Sequence, residues 1–500
     1  MTIGDLFEVL RELAAGAPPA GLNRNAAISA IAYDSRRAVP GSVFVALKGL
    51  RADGGAFAEQ AAQRGAMAIV SEAPAATGNI PWITVRDARL ALALLADRFF
   101  GHPSRRMPVI GVTGTNGKTT TSYLLASILD AAGLRAGMLG TVAYRIGGED
   151  REASRTTPEA PDVQQLLSEM LEHGCKSAVM EVSSHALSLK RVDGMRFAAG
   201  VFSNLTRDHL DFHEDMEAYF AAKRRLFEML PDESPGVINM DDPRGPALVE
   251  VCRRPVTYAI NAPADVTPGP IEMTLSGMRF DVNTPKGTVR IAAKLVGRPN
   301  VYNILAATAT AVSLDVPASA IESGVSGLSG VPGRFEVVSG DADDVTVVVD
   351  YAHTDDALRN LLETAKPLAA KRLITVFGCG GDRDRSKRPL MGMVAARLSD
   401  VVVITSDNPR SEEPARIIEE IERGIPAGSQ ASSRSPVVES LVDRAAAIER
   451  AVTMAAAGDV VLIAGKGHEK YQQIGDRVLP FDDGEVARAA LAKRRARAGS

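Results

Sequence analysis

The segment Val109-Ile110-Gly111-Val112-Thr113-Gly114-Thr115-Asn116-Gly117-Lys118-Thr119-Thr120 runs an apolar, β-branched stretch straight into a glycine loop that ends in Lys-Thr-Thr. A strand, a glycine loop and a helix in this order point to an α/β chain that handles a nucleoside triphosphate. Glycines let backbone N–H groups close around phosphate oxygens, Lys118 can reach the β and γ phosphates, and Thr119 can offer a hydroxyl to Mg²⁺. The loop departs from the strict G-x-x-x-x-G-K-[ST] pattern, because Val112 stands where the first glycine belongs and Gly111 lies one residue early. An ordinary strand-to-helix turn is therefore the alternative. The helix expected over 123–134 supplies the context that favours a phosphate loop.

Five hundred residues exceed what one hydrophobic core organises, so two to four domains are expected, and a 45% hydrophobic content is ample to fill them. The net charge of −4, from 57 basic and 61 acidic residues, gives no basic field for nucleic acid. Cys175, Cys252 and Cys379 are far apart and lack metal spacing, which suits a reducing, cytoplasmic setting. No basic-then-apolar leader occurs and no run approaches the roughly 20 apolar residues that span a bilayer, so no membrane insertion is expected. A monomer is the expected state.

Residues 1–101 read as a small α/β unit with an opening helix, strands over 42–47, 66–70 and 82–85, and a helix over 90–100. Gly101-His102-Pro103-Ser104 makes a boundary. From 102 to 332, strands over 178–182, 199–202 and 236–239 alternate with helices over 163–173 and 216–229, the pattern of a largely parallel, doubly wound sheet. The glycine-rich 327–333 closes that domain. Strands over 345–350, 372–377, 401–405 and 460–464 then describe a Rossmann-like domain, 333–500. Ligands in such sheets sit at the carboxyl ends of strands, so the loops starting at Tyr351, Gly378, Ser406 and Gly465 are candidate site loops. The basic, alanine-rich last dozen residues read as a solvated helix end.

Several constellations carry chemistry. Glu181 ends one strand and Asn204-Leu205-Thr206-Arg207-Asp208-His209 ends the next; a carboxylate and an imidazole there suit a hard metal ion, or else cap the following helices. Lys223 lies on a helix whose apolar face includes Tyr219, Leu226 and Phe227, and taken alone it reads as a solvated surface lysine. His213 reads as a surface or packing histidine. Asn300 and Asn303 share one side of the first turn of an alanine-rich helix, where they either read an amide or purine edge or cap the helix. Asp407-Asn408-Pro409-Arg410 holds Arg410 on a stiff loop, and Arg383 on the neighbouring glycine loop would make with it a two-point clamp for an acid, the alternative being that each is a surface solubiliser. Glu469, in Gly465-Lys466-Gly467-His468-Glu469, is a partner for an amino group.

Taken together with Glu181-Val182-Ser183-Ser184-His185, Asn204 to Asp211 and Asp350-Tyr351-Ala352-His353-Thr354, these motifs resemble the Mur ligases, ATP-dependent amino-acid-adding enzymes of peptidoglycan precursor synthesis. The likeness extends to the N-terminus, where Tyr33-Asp34-Ser35-Arg36-Arg37 is similar to that family's uridine-nucleotide-binding domain. The resemblance implies phosphorylation by ATP of the D-Glu γ-carboxylate of UDP-MurNAc-L-Ala-D-Glu, then attack of an amine on the acyl phosphate. Asp407 to Arg410 resembles the loop of members that add meso-diaminopimelate. Asp407, Asn408, Pro409, Arg410, Arg383, Gly465 and Glu469 would hold that amino acid. By the same comparison Lys118, His209, Lys223 and His353 are catalytic; Thr119, Glu181, His209 and a carbamylated Lys223 hold Mg²⁺. Residues 114–120 with Asn300, Asn303, Arg334, Asp350 and His353 hold ATP, and Ser35, Thr156, Thr157, Ser183 and Arg191 hold the UDP-dipeptide. Asp355 and Pro299 depart from the family pattern, the first where proline usually follows the Asp-Tyr-Ala-His-Thr motif and the second beside Asn300. The alternatives are a lysine-adding or folylpolyglutamate-synthetase-like ligase, and a P-loop NTPase that acts as a switch or binding protein.

Overall fold

The computed structural model describes residues 1–16, 19, 23–49, 53–74, 80–426 and 436–498; the last two residues of the basic tail lie outside them. The chain is α/β with three domains, each built on its own parallel-rich sheet. In the first, four parallel strands run in chain order, Ala30–Ala32, Ser42–Ala46, Ala68–Ser71 and Trp82–Thr84. The first of these is three residues long, too short for periodicity to reveal. The helix Ala88–Phe99 begins two residues before its expected start because Asp87 caps it, accepting the Leu90 N–H at 2.9 Å.

The central sheet has eight strands in the order Arg254–Tyr258, Pro235–Asn239, Ala199–Phe202, Val109–Thr113, Ser177–Glu181, Ala136–Leu139, Ala143–Ile146 and Glu149–Glu152. The first six are parallel and the last two antiparallel. The phosphate-loop strand is central and buried throughout, with Thr113 beside Phe202 and Val112 beside Glu181. That register brings Gly114, Glu181 and Ser203 to one edge. The helix after the loop spans Lys118–Ala131, not 123–134. Thr119, Thr120, Thr121 and Ser122 are weak helix formers, but all four are buried against the sheet and tertiary packing overrides propensity. A four-stranded antiparallel layer over Thr267–Pro268, Glu272–Thr274, Gly277–Thr284 and Gly287–Ala293 covers the helices Lys118–Ala131 and Arg298–Ser313, forming one core with them.

The third sheet runs Glu336–Val337, Thr346–Asp350, Val460–Ala464, Leu373–Phe377, Val401–Ile404 and Val437–Ser440, antiparallel only at its first strand, with cores on both faces. Because Val460–Ala464 inserts between the two earlier strands, Asp350 lies beside Ala464 and Phe377 beside Ile404. The four expected site loops therefore share one edge, as the strand-end rule requires. Beneath that edge the fully buried Arg444 forks onto Asp483, both bonds 2.7 Å, and donates to the carbonyls of Ser406, the first residue of one site loop, and Ala464, the residue preceding another. Asp483→Ala leaves this cation buried without its partner and is expected to lower the unfolding free energy by about 3–5 kcal/mol; a urea midpoint equal to wild type would contradict that role. Among the described residues no helix is long and apolar enough to cross a membrane, and all three cysteines are buried and free.

Candidate active site

The phosphate loop needs its glycines. Gly114 (φ 147°) and Gly117 (φ 87°) take backbone conformations open mainly to glycine, and a Cβ on either would strike Ser203 Oγ or Asn303 Oδ1 respectively. The neighbouring strand end pins the loop: Thr115 N–H donates to the Asn204 carbonyl at 2.8 Å and Asn116 N–H to Asn204 Oδ1 at 2.9 Å. Lys118 Nζ folds back over the loop onto the carbonyls of Gly114 and Thr115, both at 2.9 Å, and burial lowers its ammonium below the ordinary lysine value. Around it opens a cavity of about 270 Å³, lined by residues 115–120, Thr156, Glu181, Ser183, His209, Asn300, Asn303, Arg334, Asp350 and His353.

Glu181 is 1% exposed, and its carboxylate accepts hydrogen bonds from the Thr119 hydroxyl (3.1 Å), the Thr141 hydroxyl (3.0 Å) and the Thr141 N–H (2.8 Å). All three donors are neutral. A buried carboxylate with neutral partners, beside the hydroxyl of a phosphate loop, is a donor set that fits a hard divalent ion. His209 lines the same cavity as Glu181. Its backbone is left-handed (φ 55°), its ring packs edge-on to His185 at 4.9 Å, and burial holds its imidazole well below the ordinary histidine value. Among the described residues no three His, Cys, Asp or Glu side chains assemble at metal-binding spacing.

Lys223 corrects the surface reading drawn from its residues alone. It is 1% exposed, donates to the Gly114 carbonyl at 2.8 Å and lies 4.4 Å from the Tyr219 ring centre. Burial and the nearby Lys118 drive its ammonium well below the ordinary lysine value, disfavouring the charged form under the phosphate loop. His213 is a packing residue, buried against Ser184 Oγ at 3.0 Å.

From the third domain Arg334 reaches Thr119 Oγ1 at 3.2 Å while its guanidinium lies over the Tyr351 ring. Asp350 accepts the N–H groups of Phe335 and Ala352, fixing the turn that carries His353. His353 Nδ1 is 2.9 Å from the Tyr351 carbonyl; a carbonyl only accepts, so Nδ1 carries a hydrogen, and in the neutral ring the lone pair is on Nε2. Burial lowers that imidazole's pKa. Asn300 donates to the Val296 carbonyl and Asn303 to Asn300 Oδ1, so neither side chain caps the helix that Gly297 opens.

Of the residues expected at the UDP-dipeptide, four are contiguous. Thr156 Oγ1 lies 3.0 Å from Thr141 Oγ1; Thr157 Oγ1 donates to the Glu181 carbonyl and accepts the Ser183 N–H; Arg191 donates to the Thr157 carbonyl. Ser35 stands apart in the first domain, bonded to Gln60. That domain docks on the second through Tyr33 and Arg37, which both donate to Asp162.

At the third sheet's edge Arg383 and Arg410 flank Gly380, whose Cβ, if it had one, would lie 3.0 Å from Arg410 Nη1 and 3.7 Å from Arg383 Cγ. Arg410 is left-handed (φ 51°) and spends Nη1 on the Gly381 carbonyl; Pro409 precedes it. Asn408 Nδ2 donates to Glu469 Oε2 at 2.8 Å, and Asp407 accepts the Asn408 N–H beside Gly465. The fully buried Lys466, which sequence reading passed over, bridges Asn408 Oδ1 and Glu469 Oε2, both at 3.0 Å. Thr141, the anchor of Glu181, was also passed over. Gly140 before it signals a close approach, since a Cβ there would lie 2.5 Å from Glu181 Oε1.

Family models described as the Mur ligase family catalytic domain, the Mur ligase middle domain and the Mur ligase glutamate ligase domain match residues 27–100, 112–311 and 333–467. A Gloeobacter violaceus protein named UDP-N-acetylmuramoyl-L-alanyl-D-glutamate--2,6-diaminopimelate ligase is 48% identical over 94% of this chain and 95% of its own length. A solved structure of a protein of that same name matches with a TM-score of 0.70 at 33% identity, covering 99% of both chains. The MurF ligase of Thermotoga maritima, solved in complex with ADP, shares the fold with a TM-score of 0.62 at 20% identity, over 94% of this chain and 98% of its own. With three domain models in order along the chain and near-full-length identity of this size, the chain belongs to the Mur ligase family.

Proposed function

We propose that this ATP-dependent ligase joins meso-2,6-diaminopimelate to the D-Glu γ-carboxylate of UDP-MurNAc-L-Ala-D-Glu. The observation that carries the reading is that Arg383 and Arg410 flank Gly380, Arg410 with its guanidinium and Arg383 with its alkyl stem, beside the Asn408–Glu469 polar set. Diaminopimelate is lysine with a second carboxylate. A site built on guanidinium groups leaves them unpaired when lysine enters, which supports discrimination of roughly 10⁴ to 10⁵. The relatives' names support the same choice.

In this reading the γ-carboxylate oxygen attacks the γ-phosphorus of ATP and ADP leaves; the amine then attacks the acyl carbon, phosphate leaves and the amine gives up a proton. The N–H groups of residues 114–119 and Lys118 hold the phosphates, and Lys118 offsets charge on the transferred group. Arg334 approaches the same phosphates from the third domain. His353, which lines the cavity, would accept a proton at Nε2. Thr156, Thr157, Ser183 and Arg191 hold the dipeptide end, and Ser35 the uridine end in the first domain. A Mg²⁺ ion bound by Thr119 and Glu181, with His209 and a carbamylated Lys223 nearby, would supply neutralising charge to the phosphates. A neutral amine at Lys223 is the form that CO₂ captures, with loss of one proton. We assign the UDP-dipeptide to residues 1–101, ATP to 102–332 and the amino acid to 333–500.

The test is phosphate release by the purified chain with ATP, Mg²⁺ and UDP-MurNAc-dipeptide, across meso-diaminopimelate, lysine and glutamate, with product mass recorded. Release and tripeptide with diaminopimelate alone is expected. Phosphate release independent of any amino acid would contradict the reading and favour a switch protein.

A further inference from the structure

Arg388 lies in the first turn of the helix Lys387–Leu398, fully buried, behind the two loops that carry Arg383 and Arg410. Its Nη1 donates to Glu412 Oε2 (3.0 Å) and Glu420 Oε2 (2.8 Å), and its Nη2 to Glu412 Oε1 (2.8 Å) and the Gly380 carbonyl (3.1 Å). Glu412 also accepts the Asp382 N–H at 2.6 Å and Arg385 Nη2 at 2.8 Å. Around this set the loops are laced together. Gly381 N–H donates to the Asn408 carbonyl at 2.9 Å, and Ser411 Oγ donates to Asp382 Oδ1 at 2.6 Å.

Arg388 cannot itself meet a substrate, because it is buried and both its Nη atoms are already engaged. A buried ion set is also a weak source of net stability, since the cost of desolvation consumes most of the attraction. What a planar guanidinium supplies here is geometry: one fork fixes Gly380, the residue both clamp arginines flank, to Glu412, two residues beyond Arg410. We propose that Arg388 and Glu412 are positioning residues that set the spacing of Arg383 and Arg410, and thereby select an amino acid with a second carboxylate. The proposal rests on the reading of Arg383 and Arg410 as a carboxylate clamp.

The test uses the full-length enzyme, Arg388→Lys and Glu412→Gln, and steady-state kinetics with each substrate varied in turn. Arg388→Lys keeps the charge and loses the fork. It is expected to raise KM for diaminopimelate about 10- to 100-fold, to change kcat at saturating diaminopimelate by less than about threefold, and to leave KM for ATP and for the UDP-dipeptide within about twofold. Glu412→Gln keeps the shape and should raise only KM for diaminopimelate, by less than Arg388→Lys does. If Arg388→Lys does not fold, Glu412→Gln decides, because Glu420 still holds Arg388. No rise in KM for diaminopimelate, or an equal rise for all three substrates, would overturn the proposal. A wild-type enzyme that makes no product with diaminopimelate would remove the clamp, and this pair with it; a working wild type with unaffected variants would remove the pair alone.

Discussion

Lys223→Ala is expected to cut turnover by about 10²- to 10³-fold, the cost of deleting one preorganised electrostatic group from a reaction centre, with ATP still bound. Lys223 Nζ lies 2.8 Å from the carbonyl of Gly114, the first residue of the phosphate loop, inside a wall that admits almost no water. An ammonium ion there is disfavoured by burial and by Lys118. Evolution of a cation in such a place makes chemical sense if the group works as something else, and a neutral amine turned into a carbamate carries a negative charge instead. A short carboxylate such as acetate, diffusing into the space left by alanine, is therefore expected to restore part of the rate. Turnover and its dependence on acetate check this directly. Wild-type turnover in the alanine variant would contradict a role in the reaction, and loss of ATP binding in proportion to kcat would point to a collapsed loop instead.

Arg410→Ala is expected to weaken diaminopimelate recognition by about 2–5 kcal/mol, because removing one partner of a hydrogen-bonded charge pair forfeits the pair and strands the remaining charge. Its backbone is held from both sides, since Arg410 N–H donates to the Gln473 carbonyl and Gly475 N–H donates to the Arg410 carbonyl. The loop should therefore keep its course without the guanidinium, and KM for ATP should hold. Selectivity over lysine should shrink along with affinity. Steady-state measurements with both amino acids check this, and unchanged use of diaminopimelate would remove the specificity argument.

Much of the architecture was legible because the chain repeats one unit, an apolar strand followed by a glycine or polar loop and a helix. The strand-end rule then placed the four site loops of the third sheet on one edge without any contact being known. The antiparallel layer over 267–293 was missed although its signal is present: Met278, Phe280 and Val282 alternate with Arg279 and Asp281 and are buried in turn. The burial of Lys223 was legible too. Tyr219, Lys223, Leu226 and Phe227 follow the spacing of one helix face, so the lysine sits in the stripe that packs inward. The residue type argued for the surface and the position argued for the core, and position won. Other features had no local signal. How both oxygens of Glu181 meet Thr141, how Lys466 reaches Asn408, and how Arg388 ties Gly380 to Glu412 depend on contacts between residues brought together by the fold.

The central claim is that two guanidinium groups hold the second carboxylate of the incoming amino acid while its amine faces an activated acid. A crystal structure of the enzyme with meso-diaminopimelate bound measures it most directly. One carboxylate lying within hydrogen-bonding distance of both Arg383 and Arg410, with an amino group toward the phosphate-loop cavity, is the expected result; the amino acid bound away from both arginines would contradict the account.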